Sequence, residues 1–323
     1  LPSAAGFVEA LAQVQQVIAF AVLPDETTNL SDIVLPAHTY LETWGYQRAN
    51  PGAEQLIVSA QQPVVRPLYD TRDPGDALLA LANKLGDPVA KRLPWPNLVN
   101  FIETRLTSLQ LQEGNINAED IESFWAYWLQ HGGWWSKESA WTAPEAASVF
   151  SSTPLTVPPP EFEGDSSALH LLPVASVAFG DGRHAALPWL QETPDPMTTA
   201  SWDTWVELNP VTAQSLGIKD NDVVKITSPH GQIEAIAYLY PGIRPDVVAV
   251  PIGQGHTEAG RWAKARGGNI LSLLAPHIAA GSGHLAWAAT RVQLEKTGQQ
   301  QVLPVLESKA GVARAHEKGE TPG

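Results

Sequence analysis

The chain has 323 residues, of which 44% are hydrophobic and 17% charged, and its formal net charge is −14. These values predict about two globular domains with sizeable cores and exclude a chain that is disordered overall. The acidic balance argues against a nucleic-acid partner, because neutralising phosphates requires clustered Lys and Arg. The absence of cysteine excludes disulfides, thiolate zinc sites and Cys-ligated iron–sulfur clusters within this chain.

The first elements follow an α/β pattern. Residues 7–15 suit a short helix, and the continuous apolar run Val17–Leu23 predicts a buried parallel strand. The acidic turn PDETTNLSD separates it from a second predicted strand at Ile33–Leu35. Because the chain opens directly in this pattern, without Met, we expect an incomplete Rossmann-like layer and a C-terminal piece of a longer polypeptide.

Helix signals follow in two places. Asp73 suits an N-cap and Pro74 the first position of a helix that runs to Lys84 and ends at Gly86. The aromatic stretch 95–150 is predicted to be helical and to pack on a neighbour. Part of it has apolar side chains at helical spacing: Ile121, Phe124, Trp125 and Trp128.

From Ser167 the pattern changes to short apolar strands separated by Gly, Asn, Asp and Pro turns. Many short, evenly spaced strands predict a small closed barrel. Asn209 followed by Pro210 predicts a short helix that ends at Gly217. The sequence HGQ at 230–232 predicts a hairpin turn.

One uncharged run, residues 267–290, is long enough to span a bilayer. It is interrupted by Pro276, His277 and His284. We therefore predict a buried loop and a short helix there, and no spanning helix.

A glycine-dense loop follows the last apolar strand of the predicted barrel. Gly253 and Gly255 let the backbone approach a ligand closely, and Gln254, His256 and Thr257 carry polar groups that can hydrogen-bond to a phosphate or another polar ligand edge. The glycine spacing differs from the Rossmann fingerprint. The alternative interpretation is a structural loop that packs on the rest of the protein.

Three residues outside that loop are further candidates for ligand contacts. Arg183 can grip a pyrophosphate with its planar guanidinium group, and His184 follows it; the alternative is a solvated turn. Asn209 is a third candidate, although its position favours a helix start. The run Asp220–Asp222 is not expected to bind metal, because consecutive oxygens do not converge on one ion. We assign no catalytic and no metal-ligating residue.

Two blocks of the chain resemble the large subunits of the molybdopterin-dinucleotide oxidoreductases. The block DETTNLSDIVLPAHTYLETWGYQRANPG at 25–52 is similar to a family segment, although YQRANPG departs from the usual TNTEGR-like stretch. The block WVELNPVTAQSLGIKDNDVVKITSPHGQIEA at 205–235 is similar to the signature of the family's last domain, and TRVQLEK at 290–296 to its terminal strand. The resemblance implies a mixed α/β fold that ends in a double-psi β-barrel.

The resemblance also bears on His38, since the family's corresponding region lies near the cofactor and the active-site funnel. A buried, hydrogen-bonded histidine is the alternative.

Taken together, the patterns predict four segments along the chain: 1–92 as the end of an α/β domain, 93–166 as a helical, Trp-rich insertion with a Pro-rich linker, 167–297 as the molybdopterin-dinucleotide-binding-like barrel, and 298–323 as an extended tail.

A narrower resemblance concerns PWLQETPDPMTTASWDTWVELNP at 188–210 and PIGQGHTEAGRWAKARGGN at 251–269. Both are similar to the molybdopterin-like/iron–sulfur subunit of alternative complex III, a membrane quinol oxidoreductase. This resemblance implies a non-catalytic segment without bound cofactor, with 4Fe-4S and 3Fe-4S iron–sulfur clusters elsewhere in the subunit. The implied partners are the remainder of the subunit, an integral membrane quinol-binding subunit and cytochrome c-type subunits, on the periplasmic face.

The alternative is the catalytic subunit of a true molybdenum or tungsten bis(pterin dinucleotide) reductase of the polysulfide-reductase type. In that case molybdopterin guanine dinucleotide is the cofactor, and Arg183, Gln254 and His256 contact it. The family's metal ligand normally lies upstream of the matching segment, so these residues alone leave both interpretations open.

Overall fold

The computed structural model describes residues 2–49, 55–139, 160–279 and 282–306. Parts of three predicted segments lie outside the described residues: 140–150, 151–159 and 307–323. The chain divides into two compact units. The barrel unit comprises Leu1–Val17, Leu23–Asp32 and Val157–Gly323, and the mixed unit comprises Ile18–Val22 and Ile33–Thr156.

The described residues contain both α-helices and β-strands. The helices are α1 (Phe7–Leu11), α2 (Pro74–Leu85), α3 (Val89–Arg92), α4 (Leu98–Gln110), α5 (Ile121–His131), α6 (Pro188–Gln191), α7 (Pro210–Leu216) and α8 (Gly260–Ala263). The strands are β1 (Ile18–Ala21), β2 (Ile33–Pro36), β3 (Gly45–Arg48), β4 (Gln55–Gln61), β5 (Gly133–Ser139), β6 (Leu169–Val174), β7 (Trp205–Leu208), β8 (Asp222–Thr227), β9 (Gln232–Leu239), β10 (Val247–Pro251) and β11 (Arg291–Gln300).

In the mixed unit, β1 and β2 pair in parallel, as the apolar runs predict. Both strands are more exposed than predicted, with Ile18 at 50% and Val34 at 47% exposure, because β1 and β2 form a two-stranded sheet. Helix α2 begins where its sequence predicts: the Asp73 carboxylate accepts from the Gly75 N–H at 2.7 Å. It ends before Gly86, whose φ is 70°.

The core of the mixed unit lies between α4, α5 and the antiparallel sheet β3-β4-β5. Two residues of the predicted apolar face of α5, Phe124 and Trp128, are fully buried. Trp125 packs against the core at a half-buried position. The Trp128 indole N–H donates to the Val58 carbonyl at 3.1 Å, which joins helix to sheet inside the core.

The prediction that 95–150 is helical is wrong at Trp134 and Trp135, which lie on β5. Gly132 adopts φ 75° and ends α5, and the chain then pairs with β4 in antiparallel register. Trp134 is fully buried in the same core. The pairing partner lies more than 70 positions upstream, so no local signal marks this strand.

In the barrel unit, six strands close into a barrel in the order β10-β6-β11-β8-β9-β7. Two neighbouring pairs are parallel, β10 with β6 and β7 with β9. The predicted hairpin turn at 230–232 connects β8 and β9. Apolar side chains from all six strands fill the barrel and are almost completely buried, among them Leu171, Leu208, Val224, Ala235, Val248 and Val292. The mixed α/β class with a closed barrel is confirmed; the Rossmann-like layer and the double-psi connectivity stay predictions.

Within the uncharged run 267–290, Ile270–Leu273 forms a 3-10 helix. Leu273 and Leu274 are buried in the barrel core, and Ala275 is also buried. Among the described residues, no helix has the length and apolar composition that a membrane span requires.

A buried carboxylate on β8 leads to a prediction about acid stability. Asp222 has a side-chain exposure of 0% and pairs with Lys296 Nζ at 2.7 Å. Its oxygens also accept from the Lys219 N–H at 2.7 Å and from Gln300 Nε2 at 2.9 Å. The hydrogen bond from Lys296 is the main reason that the pKa of Asp222 falls to about 2.

We expect Asp222→Asn to lower the free energy of unfolding by about 2 kcal/mol at neutral pH. A carboxyl whose pKa is depressed on folding stabilises the fold fully above its unfolded pKa, and this contribution is lost as pH falls toward about 2. Urea unfolding at neutral and acid pH measures the effect, and the wild-type advantage should shrink in acid. Asp246→Asn is the control, since its pair with Arg244 is exposed; an equal loss in both variants contradicts the prediction.

Candidate functional site

The glycine-dense loop leaves β10 after Pro251 and lies tightly against its own unit. Gly253 has φ 119°, and a Cβ there would approach Phe179 Cβ to 2.8 Å. Gly255 has φ 82°, and a Cβ there would overlap the backbone of Gly268 and Asn269. Both glycines are therefore required by contacts within the protein, in addition to any ligand.

Gln254 is buried, and its amide forms a pair with a second glutamine. Gln254 Nε2 donates to Gln191 Oε1 at 2.8 Å and to the Trp202 carbonyl at 3.0 Å. Gln191 is fully buried, and its Nε2 donates to the Ala185 carbonyl at 2.8 Å. The two amides thus satisfy each other, as buried polar groups must.

His256 has a partner at each ring nitrogen. Nδ1 lies 3.1 Å from Glu26 Oε1, and Nε2 lies 3.1 Å from the Gly182 carbonyl oxygen. Both partner atoms are hydrogen-bond acceptors. The neighbouring Thr257 N–H donates to the same Glu26 Oε1 at 2.8 Å.

Arg183 and His184 lie at the surface. The Arg183 fork binds Asp181 in a bidentate pair, with Nε to Oδ1 at 2.9 Å and Nη2 to Oδ2 at 2.7 Å. Both side chains of the pair are mostly exposed. The hydrogen bond from Arg183 lowers the pKa of Asp181 to about 2. In the turn that contains Arg183, the Gly182 carbonyl contacts His256.

Asn209 is the N-cap of α7, as its position before Pro210 predicts. Its Oδ1 accepts from the Val211 N–H at 2.9 Å, and its Nδ2 donates to the Ile243 carbonyl at 2.7 Å. Gly217 ends the helix with φ 68°.

In the mixed unit, His38 is half-buried, and its Nδ1 lies 2.7 Å from Thr71 Oγ1.

An aromatic and charged group lies beside Gln254. Trp202 has φ 67°, a left-handed conformation that costs about 1 kcal/mol or more for a residue with a side chain. The Arg266 guanidinium lies 4.5 Å from the centre of the Trp202 ring, a favourable cation–π geometry. Burial raises the pKa of Asp203, and the charge of Arg266 opposes this rise.

The cavity beside Trp202 is small. It has a volume of about 20 Å³ and is lined by residues that include Phe179, Asp195 and Trp202. Such a volume holds about one water molecule. A larger concavity of about 410 Å³ lies in the mixed unit between α4 and α5, where Trp125 lines it, and contains none of the predicted site residues.

The structure brings together only part of the predicted set. The loop from Gly253 to Thr257 adjoins the turn around Gly182, whereas Arg183 pairs with its neighbour and Asn209 caps a helix. Their role in cofactor binding stays a prediction. Within the described ranges, no cluster of three or more His, Asp or Glu residues suits a metal ion.

Sequence reasoning missed Glu26 and Gln191, the two residues that hold the loop's side chains. Glu26 belongs to the acidic turn of the first resembling block, and Gln191 to the PWLQETPDP stretch. Their membership of these blocks is the one signal that singles them out. Nothing in the sequence indicates that they contact the loop.

Comparisons with known proteins show what this chain is similar to. Residues 190–284 match the family described as "Molydopterin dinucleotide binding domain". The chain is 28% identical to the menaquinone reductase, molybdopterin-binding-like subunit of Nitratidesulfovibrio vulgaris, over 92% of this chain and 40% of that protein. It is also 28% identical to the arsenate respiratory reductase molybdopterin-containing subunit of Shewanella sp. strain ANA-3, over 89% of this chain and 42% of that protein.

The chain therefore spans about two fifths of the length of these relatives. Among solved structures, acetylene hydratase from Pelobacter acetylenicus is similar with a TM-score of 0.64 and 18% identity, over 90% of this chain and 41% of that chain. At this identity the likeness shows a shared fold.

Proposed function

We propose that this chain, as a relative of the molybdopterin oxidoreductase large subunits, has a structural role in its protein. The protein in this proposal is a quinol-oxidising membrane complex of the alternative complex III type. In this proposal the segment closes a large subunit and contributes no catalytic residue. Iron–sulfur clusters outside the segment carry the electrons. Its neighbours are the remainder of its subunit, a quinol-binding membrane subunit and cytochrome c-type subunits, on the periplasmic face.

The observation that carries the proposal is the internal bonding of the candidate ligand-binding groups. Gln254 pairs with Gln191, both ring nitrogens of His256 have partners, and Arg183 is bound to a carboxylate. A dinucleotide would have to displace these hydrogen bonds to reach the same groups. Displacing the bonds between Gln254 and Gln191 costs free energy, because both are buried and a buried polar group that loses its partner carries its desolvation penalty.

The relative from Nitratidesulfovibrio vulgaris supports the quinone part of the proposal. It is a molybdopterin-binding-like subunit of a menaquinone reductase, and its likeness covers 92% of this chain. The shared chemistry is electron exchange with a quinone. The stretches PWLQETPDP and GQGHTEAGR, which carry the narrower resemblance, support the alternative complex III type.

Metal and pterin analysis of the full-length protein, purified in its native complex, tests the proposal. We expect substoichiometric molybdenum and tungsten and no pterin fluorophore on acid extraction, with iron and acid-labile sulfide present. An arsenate respiratory reductase, prepared in parallel, is the positive control. Stoichiometric molybdenum or tungsten overturns the proposal.

The second candidate is a true molybdenum or tungsten bis(pterin dinucleotide) reductase. The match of residues 190–284 to a dinucleotide-binding family and the likeness to an arsenate reductase subunit favour it. In that case molybdopterin guanine dinucleotide supplies the redox chemistry, and Arg183, Gln254 and His256 would hold it. Recovery of the pterin fluorophore, together with loss of activity in variants of these three residues, would support this candidate.

A further inference from the structure

One carboxylate contacts the glycine-dense loop although it lies 230 positions upstream in the sequence. Glu26 Oε1 accepts from the Thr257 N–H at 2.8 Å and from the Glu258 N–H at 3.1 Å. His256 Nδ1 lies 3.1 Å from the same oxygen and 3.2 Å from Oε2. Successive backbone N–H groups that converge on one point form an anion-binding nest.

The turn that carries Glu26 is held firmly in place. Asp25 and Thr28 form reciprocal contacts: the Thr28 N–H donates to Asp25 Oδ1 at 2.8 Å, and the Asp25 N–H donates to Thr28 Oγ1 at 2.6 Å. At its base, the Val17 N–H donates to Asp32 Oδ2 at 2.7 Å, and the Asp32 N–H donates to the Val17 carbonyl at 2.9 Å. Glu26 is thus presented to the loop by an ordered turn.

The neighbouring carboxylate is balanced by a cation and so leaves no net negative charge of its own beside the nest. The nearby Glu258 carboxylate is paired with Lys264 Nζ at 2.8 Å, so its own charge is balanced. Burial raises the pKa of Glu26, but hydrogen bonds from the Glu258 N–H and from His256 outweigh burial, and the pKa lies below its usual range. Glu26 is therefore an anion at neutral pH.

We propose that residues 256–258 form an oxyanion-binding site that the chain fills itself with the Glu26 carboxylate. The ligand class that matches the donors is a phosphate or pyrophosphate group, which offers the same negatively charged oxygens. While Glu26 occupies the nest, such a group is excluded from these donors. This inference goes beyond the proposed function, since it concerns what fills the loop and holds whether or not a metal is bound elsewhere.

Glu26→Ala in the full-length protein tests the inference. We expect the variant to gain a saturable increase in its thermal unfolding midpoint with inorganic phosphate, because a ligand that binds the folded state stabilises it. Wild type and Glu192→Ala, which removes an exposed carboxylate, should show no such increase. Sodium chloride at matched ionic strength separates binding from screening.

Glu26→Gln retains the shape of the side chain, so we expect it to fold and to respond to phosphate less than Glu26→Ala. Hydrogen exchange of wild type is an independent readout: the Thr257 and Glu258 amides should be protected. A folded Glu26→Ala that ignores phosphate, a wild type that responds equally, or rapid exchange of both amides overturns the inference. Metal content plays no part in these outcomes, so they are separate from the test of the proposed function.

Discussion

Gly255→Ala is expected to destabilise the barrel unit by about 3 kcal/mol or more. Gly255 has φ 82°, a conformation that costs an L-residue about 1–2 kcal/mol. An added Cβ also overlaps the backbone of Gly268 and Asn269. The backbone cannot rotate away as a flexible side chain does, so overpacking adds a further cost of about 1–3 kcal/mol.

Urea unfolding of Gly255→Ala, followed by far-UV circular dichroism, measures this loss. Gly217→Ala is the matched control, because Gly217 has a similar φ of 68° but nothing within 4 Å of its added Cβ. We expect the control to lose about 1 kcal/mol. Similar losses in both variants would mean that the contact with Gly268 and Asn269 has no energetic weight.

Trp128→Ala is expected to lower the free energy of unfolding by about 4 kcal/mol. The side chain is fully buried in the core of the mixed unit, and truncation leaves a large cavity. It also removes the indole N–H that the Val58 carbonyl accepts at 3.1 Å. A buried carbonyl without its partner adds its desolvation cost to that of the cavity.

Guanidinium unfolding, followed by far-UV circular dichroism, tests this prediction. Tyr127→Ala is the control on the same helix, because Tyr127 is 45% exposed; we expect a loss below about 1 kcal/mol. Trp128→Phe, which keeps much of the volume but loses the N–H, should lie between the two. A loss in Trp128→Ala no greater than in Tyr127→Ala contradicts the prediction.

Helix ends were predictable from sequence wherever the signal is local. Asp73 and Gly86 bound α2, and Asn209 and Gly217 bound α7, at the predicted positions. A cap depends on a side chain and a backbone N–H two or three residues apart, and a left-handed glycine depends only on its own dihedral angles. Such signals act in the same way whatever surrounds the helix.

Strand β5 could not be predicted from local sequence signals. Trp134 and Trp135 follow a helical stretch, and their aromatic character suits a helix face or a strand equally well. Their pairing with Ile57 and Val58 makes them a strand. Because that pairing joins distant parts of the chain, its free energy depends on a fold that no sequence window contains.

The sequence alone predicted a closed barrel, the ends of α2 and α7, the resemblance to the molybdopterin oxidoreductases and the presence of Gln254 and His256 in a glycine-dense loop. The tertiary structure decided what these two side chains touch. His256 meets Glu26 across 230 positions of sequence, and Gln254 meets Gln191 across 63. The residue type determines which groups a side chain can bind. Its actual partner depends on the distance and angle between the two groups, which are defined only in the folded chain.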